Sequence, residues 1–292
     1  MSDIKVVEKP GPFTEEEKKL VNVPSDTFVT ERDKDKPLVL ETRHLGIDFG
    51  GLTAVDEFNI GIGATEITGL IGPNGAGKTT VFNLLTKVYE PTRGSILLNG
   101  VDTHGMNPAS VNQAGIARTF QNIRLFDKLT VEENVKIGLH NRTDYGMFTG
   151  IFRLPKYWKE EKKSHEIALE LLDIFGMADQ ADVRADSLPY GAQRRLEIVR
   201  ALATDPKILL LDEPAAGMNP SETEELMKNI AKIRDTFGIA VMLIEHDMKL
   251  VMGICEVIAV LNFGKIIAKG TPSEIRSNPQ VIEAYLGSKK DE

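Results

Sequence analysis

One stretch constrains this chain more than any other: Gly72-Pro73-Asn74-Gly75-Ala76-Gly77-Lys78-Thr79-Thr80. Its three glycines let the backbone curl until several N–H groups face one point. The apolar residues 66–71 before it read as a strand, and residues 79–88 after it as a helix, whose positive end adds to the same field. Gathered amides, a helix start, a lysine and a hydroxyl make an anion site. Two glycines flanking four residues, then Lys and Thr, form the P-loop (Walker A) pattern. A chance glycine-rich turn would lack the strand and helix in their proper order. The expectation is a backbone cradle over residues 72–80, with Lys78 on the β- and γ-phosphates of a nucleotide and Thr79 on Mg2+.

A phosphate loop alone does not say which machine it serves. Far along the chain, Ile208-Leu209-Leu210-Leu211 reads as a buried strand and Asp212-Glu213 follows at its carboxyl end. Ligands of α/β sheets bind at that end. Alone, the pair could be a solvated turn. Behind a P-loop it reads as chemistry: Asp212 reaches Mg2+ through a water, and Glu213 orients and polarises the water that attacks the γ-phosphate.

The rest of the chain fits an α/β protein. Runs at 38–40, 57–62, 66–71, 95–98, 208–211, 240–244, 256–261 and 265–268 read as strands. Residues 131–139, 159–175 and 221–237 carry helical spacing, with Ile167, Leu171, Leu172 and Phe175 on one face. Residues 101–203 read as mainly helical, an insertion into the α/β core, and the chain closes on a helical stretch ending near Leu286. Residues 1–37 mix charges with Pro10, Pro12, Pro24 and Pro37 and read as a disordered extension; 288–292 read as a tail. With 292 residues, 41% of them hydrophobic, there is material for one main core. A formal charge of −8 argues against nucleic acid as a partner. The N-terminus has no apolar signal region, no run suits a membrane helix, and Cys255 is the single cysteine. The expectation is a soluble cytosolic chain whose membrane role runs through partners.

Four further motifs follow the P-loop in order, and here the chain resembles the ABC ATPase family over about residues 38–286. Gln121, in Arg118-Thr119-Phe120-Gln121-Asn122, resembles the Q-loop glutamine. Ser187-Leu188-Pro189-Tyr190-Gly191-Ala192-Gln193 resembles the signature and the helix it opens. Ala216-Gly217-Met218-Asn219-Pro220 stands where the D-loop follows the catalytic glutamate, and His246 resembles the switch histidine. Phe49 sits where an aromatic stacks on adenine, with plain core packing as the equal alternative. The resemblance implies a RecA-like α/β core, an antiparallel β subdomain and an inserted α-helical subdomain. It also implies ATP and Mg2+ as ligands, with Glu213, His246 and Gln121 catalytic. The cradle would be residues 72–80 with Asp212, and the partner's ATP would meet Leu188, Gly191 and Gln193. Thr79, Gln121 and Asp212 would serve the metal. His44, His104, His140 and His165 lack metal-ligand spacing and carry no assigned role.

Finer features resemble the ATP-binding subunits of branched-chain amino acid importers. These are residues 117–126, Glu213-Pro214-Ala215-Ala216-Gly217-Met218-Asn219-Pro220, the Leu188-Pro189-Tyr190-Gly191 signature, the irregular segment 141–158 and the ending Glu283-Ala284-Tyr285-Leu286-Gly287. That family implies a second ABC ATPase subunit, identical or not, two membrane permeases and an extracytoplasmic substrate-binding protein, with this chain at the cytoplasmic face of the membrane. Two departures stand out: Pro189 and Tyr190 replace the signature's Ser and Gly, and Asn219 replaces the D-loop aspartate. Gly191 N–H and a helix beginning near Gln193 would then supply the anion site alone. The 141–158 segment interleaves Phe148, Phe152, Tyr157 and Trp158 with Arg142, Arg153 and Lys156. It reads either as packing on the helical subdomain or as contact with permease or headgroups. The competing families are the ATPase of a lipopolysaccharide exporter and a soluble ABC ATPase without a permease.

Overall fold

The computed structural model of the chain describes residues 37–140 and 155–286. The extension up to residue 36, residues 141–154 of the irregular segment and the tail lie outside the described residues.

Strands β1 (Leu38–Phe49) and β2 (Leu52–Gly63) pair antiparallel across the Gly50-Gly51 turn. On its other side β1 pairs with β4 (Arg93–Leu98), and β4 with β5 (Val101–Asp102), giving a four-stranded antiparallel sheet in the order β2-β1-β4-β5. Both hairpin strands are longer than the sequence pattern suggested. Register shifts between Thr42 and Leu45 and again between Leu45 and Ile47 break the alternation that marks a strand.

The larger sheet has the order β10-β9-β3-β8-β7-β6, built from β3 (Ile67–Ile71), β6 (Ile116–Arg118), β7 (Ile208–Asp212), β8 (Ala240–Ile244), β9 (Val257–Asn262) and β10 (Lys265–Gly270). Every pairing is parallel except β9 with β10. Every residue of β3, β7 and β8 is buried, as a sheet covered on both faces requires. Alternation divides the core. Ile208 and Leu210 of β7 join Leu40, Phe58 and Phe82 on the side of the small sheet and α1 (Lys78–Leu85). Leu209 and Leu211 join Leu172, Leu196 and Ile230 on the other side.

The remaining helices are α2 (Pro108–Ala114), α3 (Val131–Leu139), α4 (Pro155–Ile174), α5 (Tyr190–Leu202), α6 (Pro220–Phe237), α7 (Met248–Ile254), α8 (Pro272–Ser277) and α9 (Pro279–Leu286). Helices α3, α4 and α5 pack on one another through Val131, Val135, Leu172, Phe175, Leu196 and Val199. A capping box of Thr130 and Glu133 starts α3. Residues 101–118 give an edge strand to each sheet, so the packed helices begin at Val131 rather than near 101. Two- and three-residue strands are too short to show a period.

Parallel register sets the site. Leu70 of β3 and Asp212 of β7 both pair with Ile244 of β8, and Arg118 of β6 pairs with Leu210. The segments leaving β3, β6, β7 and β8 therefore emerge side by side at one carboxyl edge, neighbouring strands about 4.8 Å apart.

Candidate active site at the carboxyl edge of the large sheet

The P-loop leaves β3 at that edge and enters α1. Gly72 and Gly77 cannot carry a side chain. A Cβ on Gly72 would stand 2.0 Å from the Leu261 carbonyl oxygen, and one on Gly77 would stand 2.8 Å from that of Ala54, where φ is +104°. The turn between β9 and β10 braces the loop, since Gly264 N–H donates to the Ala76 carbonyl at 2.9 Å. Lys78 is buried, and its Nζ donates to the carbonyls of Gly72 at 2.7 Å and Pro73 at 3.0 Å. Burial holds its pKa below the ordinary lysine value, while the charges of Glu213 and Asp212 pull the other way. A cradle with no room for side chains, around a buried ammonium paired to carbonyls, fits an incoming polyanion. Thr79 is exposed at the start of α1, and Thr80 lies half-buried beside it. Among the described residues no cluster of three His, Cys, Asp or Glu side chains could hold a metal.

Glu213 is the hub of the edge. It follows β7 with a left-handed φ of +47°, and its N–H donates to the Ile244 carbonyl at 2.9 Å. Gln121 Nε2 donates to Glu213 Oε2 at 2.8 Å, and His246 Nε2 lies 3.0 Å from Oε1. Two residues, one 92 positions before Glu213 and one 33 after it, thus share its carboxylate. Asp212, deeper in the edge, accepts from Arg118 at 2.6 Å through Oδ2. Arg118 also donates to Asn83 of α1 at 2.7 Å, which ties the P-loop helix to the strand carrying the acids.

Sequence reading missed the supports. Arg194 is 0% exposed and Glu197 1%. Arg194 donates to Glu197 at 2.9 Å, to the Phe120 carbonyl at 2.5 Å and to the Gln121 carbonyl at 2.7 Å. Glu197 in turn accepts from Arg124 N–H at 3.2 Å. The helix after the signature therefore grips the segment that carries Gln121. Glu245, also buried, accepts from the N–H groups of Ala215 at 2.7 Å and His246 at 2.9 Å. It fastens the strand ends of β7 and β8 together. The available signals were a charged pair at i, i+3 inside an otherwise core-facing helix and an acid directly after a buried strand.

The signature residues lie elsewhere. Among the described residues no hydrogen bond or ion pair links Leu188, Gly191 or Gln193 to the P-loop. Helix α5 starts at Tyr190 with Pro189 as its N-cap, three residues before the start near Gln193 read from the sequence. Pro189 has the φ of a helix entry, −55°, but no side chain to cap with. Gln193 folds back instead, its Nε2 donating to the Leu188 carbonyl at 2.9 Å. Tyr190 faces Gly217, and Gly191 faces Glu222, so the signature packs on the segment after Glu213. Asn219 there is the N-cap of α6, accepting from Ser221 N–H and Glu222 N–H at 3.0 Å each. Phe49, at the end of β1, is half-exposed and meets Tyr89 edge-on, ring centroids 5.3 Å apart.

Residues 55–216 match the family model for ABC transporters, and residues 265–291 match that of the branched-chain amino acid ATP-binding cassette transporter. The high-affinity branched-chain amino acid transport ATP-binding protein LivG of Escherichia coli strain K12 is 47% identical over 249 residues, which cover 85% of this chain and 98% of that one. BraF of Pseudomonas aeruginosa, of the same description, is 46% identical with the same shares. The ADP conformation of MJ1267, an ATP-binding cassette of an ABC transporter, superposes with a TM-score of 0.75 at 30% identity, covering 86% of this chain and 99% of that one. With the loops in family order at one sheet edge and relatives matched along nearly their whole length, the chain belongs to the ABC transporter family, among its branched-chain amino acid ATP-binding subunits.

Proposed function

We propose that this chain hydrolyses ATP to energise uptake of branched-chain amino acids, acting at the cytoplasmic face of the cell membrane. The observation that carries the chemistry is the Glu213 carboxylate held between Gln121 and His246, one strand away from the loop that buries Lys78. The substrate class follows from LivG and BraF and from the match at residues 265–291.

In this reading the amides of residues 72–80 and the Lys78 ammonium bind the β- and γ-phosphates. Thr79, the Gln121 side-chain Oε1 and, through a water, Asp212 would hold Mg2+, which would offset charge on the transferring phosphoryl group. Arg118 holds Oδ2 of Asp212, which would leave Oδ1 for such a water. Glu213 accepts a proton from the attacking water as its oxygen bonds to the γ-phosphorus and ADP departs. His246 exchanges its contact with Glu213 for the γ-phosphate, freeing one carboxylate oxygen for the proton. Phe49 offers an exposed ring to adenine.

The uncapped start of α5, with Leu188, Gly191 and Gln193, meets the ATP of a second ABC ATPase subunit, head to tail. ATP binding closes the pair and hydrolysis reopens it. In this reading attachment runs through the two permeases; no described helix is long and apolar enough to cross a membrane. A cleft of about 650 Å³ between the helical subdomain and the core, lined by Phe120, Arg124, Phe126, Ile137 and Arg200, is the surface we assign to a permease. Phe120, which lines it, is the chain neighbour of Gln121, and in this reading that link carries nucleotide state to the membrane subunits. A substrate-binding protein outside the membrane completes the system.

The test is Glu213→Gln in the assembled complex. An amide retains the shape but cannot take the proton, so ATP affinity stays close to that of the parent while hydrolysis falls by about 100-fold or more. Turnover near the parent rate would remove Glu213 from this role.

A further inference from the structure

The segment between β8 and α7 begins with a buried acid. Glu245 is 4% exposed, and among the described residues no Lys, Arg or His forms an ion pair with it. Backbone amides hold it instead. Its Oε1 accepts from Ala215 N–H at 2.7 Å, and its Oε2 accepts from His246 N–H at 2.9 Å and Asp247 N–H at 3.3 Å. A buried charge without a counter-ion is costly, and a neutral side chain would avoid that cost. What a neutral amide cannot do is accept at both ends. Glutamine has one oxygen and one NH2, so whichever way it turns, its NH2 meets a backbone N–H. The position calls for a carboxylate.

The amides it holds belong to the two segments that meet at the sheet edge. Ala215 stands two residues after Glu213, and His246 is the residue whose Nε2 lies 3.0 Å from Glu213 Oε1. The main chain joins these segments once, where Glu213 N–H donates to the Ile244 carbonyl at 2.9 Å. Glu245 adds a second tie. It closes a ring that runs from Glu213 through Pro214 and Ala215 to the Glu245 side chain, then through His246 and back to Glu213. Pro214, with its fixed φ, leaves little slack in that ring. Beyond Ala215 the chain turns, Met218 N–H donating to the Ala215 carbonyl at 3.0 Å, and Gly217 faces Tyr190. One carboxylate thus sets His246 against the segment after Glu213, the same segment on which the signature packs.

We propose that Glu245 is a positioning residue for ATP hydrolysis: its carboxylate fixes the His246 backbone so that the imidazole stands at Glu213. It acts through His246 and touches neither nucleotide nor water. Lys78 is held by the carbonyls of Gly72 and Pro73 without it, so its effect falls on turnover and not on ATP affinity. The proposal rests on Glu213 and His246 being the hydrolytic pair.

Glu245→Gln tests it. In the assembled transporter kcat should fall about tenfold, the size of one or two lost hydrogen bonds, while the full chain binds ATP within about twofold of the parent. The second readout needs no nucleotide. With histidine rings labelled with nitrogen-15, the NMR signal of His246 should move in the variant while those of the other four histidines stay in place. Glu245→Asp keeps both acceptors on a shorter arm and should lose only about threefold in kcat; it carries the same readouts if the glutamine variant does not fold. Parent-like kcat in Glu245→Gln overturns the proposal. So does an unmoved His246 signal, a loss of ATP affinity in place of kcat, or an aspartate variant as slow as the glutamine one. His246→Ala is measured alongside. If it is slow while Glu245→Gln turns over like the parent, only the positioning fails; if it turns over like the parent, the reading of His246 itself fails.

Discussion

At the scale of single residues, each acid at the sheet edge has a fixed partner. Glu213 is shared by Gln121 and His246, Asp212 by Arg118, and the amides after two buried strands by Glu245. Asn219 shows how a departure from a family pattern can be neutral for the fold. Asn and Asp cap a helix equally well because either side-chain oxygen accepts from the N2 and N3 amides. Asn219→Asp should therefore leave stability within about 0.5 kcal/mol of the parent, while Asn219→Ala loses about 1 kcal/mol in urea unfolding. Equal stability of the alanine and parent proteins would show that the cap does not bear on folding. The residues proposed to face ATP are marked by spacing and order in the sequence, and the fold gathers them at one edge: the P-loop, Asp212-Glu213, Gln121 and His246. Arg194 and Glu245 were not. Their partners are carbonyls and amides far along the chain, which no local pattern records.

At the scale of elements, the connection that matters most is between α5 and the segment carrying Gln121. Arg194 makes it, buried beside Glu197. Arg194→Met strands the Glu197 carboxylate in the core and frees two carbonyls. It should cost about 3–5 kcal/mol in denaturant unfolding, and adding Glu197→Met should restore part of that. A single variant as stable as the parent would contradict the buried clamp. Strands β3, β7 and β8 were read from uninterrupted apolar runs, and β4, β9 and β10 were read with ends displaced by one or two residues. The hairpin strands were under-read where their register shifts reverse the side-chain faces, and β6 was missed because three residues carry no period. The start of α5 was read late because Pro189, which opens the helix, resembles a loop residue in sequence.

At the scale of the whole molecule, two sheets, a helical subdomain and a C-terminal helix all converge on one edge. The parallel register delivers the P-loop, Gln121, Glu213 and His246 there together, and Gln280 and Ala284 of α9 line one cleft with Pro73 of the loop. The family could be read from motif order because those loops are consecutive along that edge. The cleft around Phe120 and Arg200, proposed above as a partner surface, could not, since it exists only once distant segments fold together. The central claim is that this ATPase drives amino acid uptake. The direct measurement is leucine accumulation in proteoliposomes holding the chain with its companion ATPase, both permeases and the binding protein, with ATP on the side of this chain. The account predicts ATP-dependent accumulation of leucine, isoleucine or valine that stops in the Glu213→Gln complex. ATP hydrolysis by the parent complex with no accumulation of any of the three would contradict it.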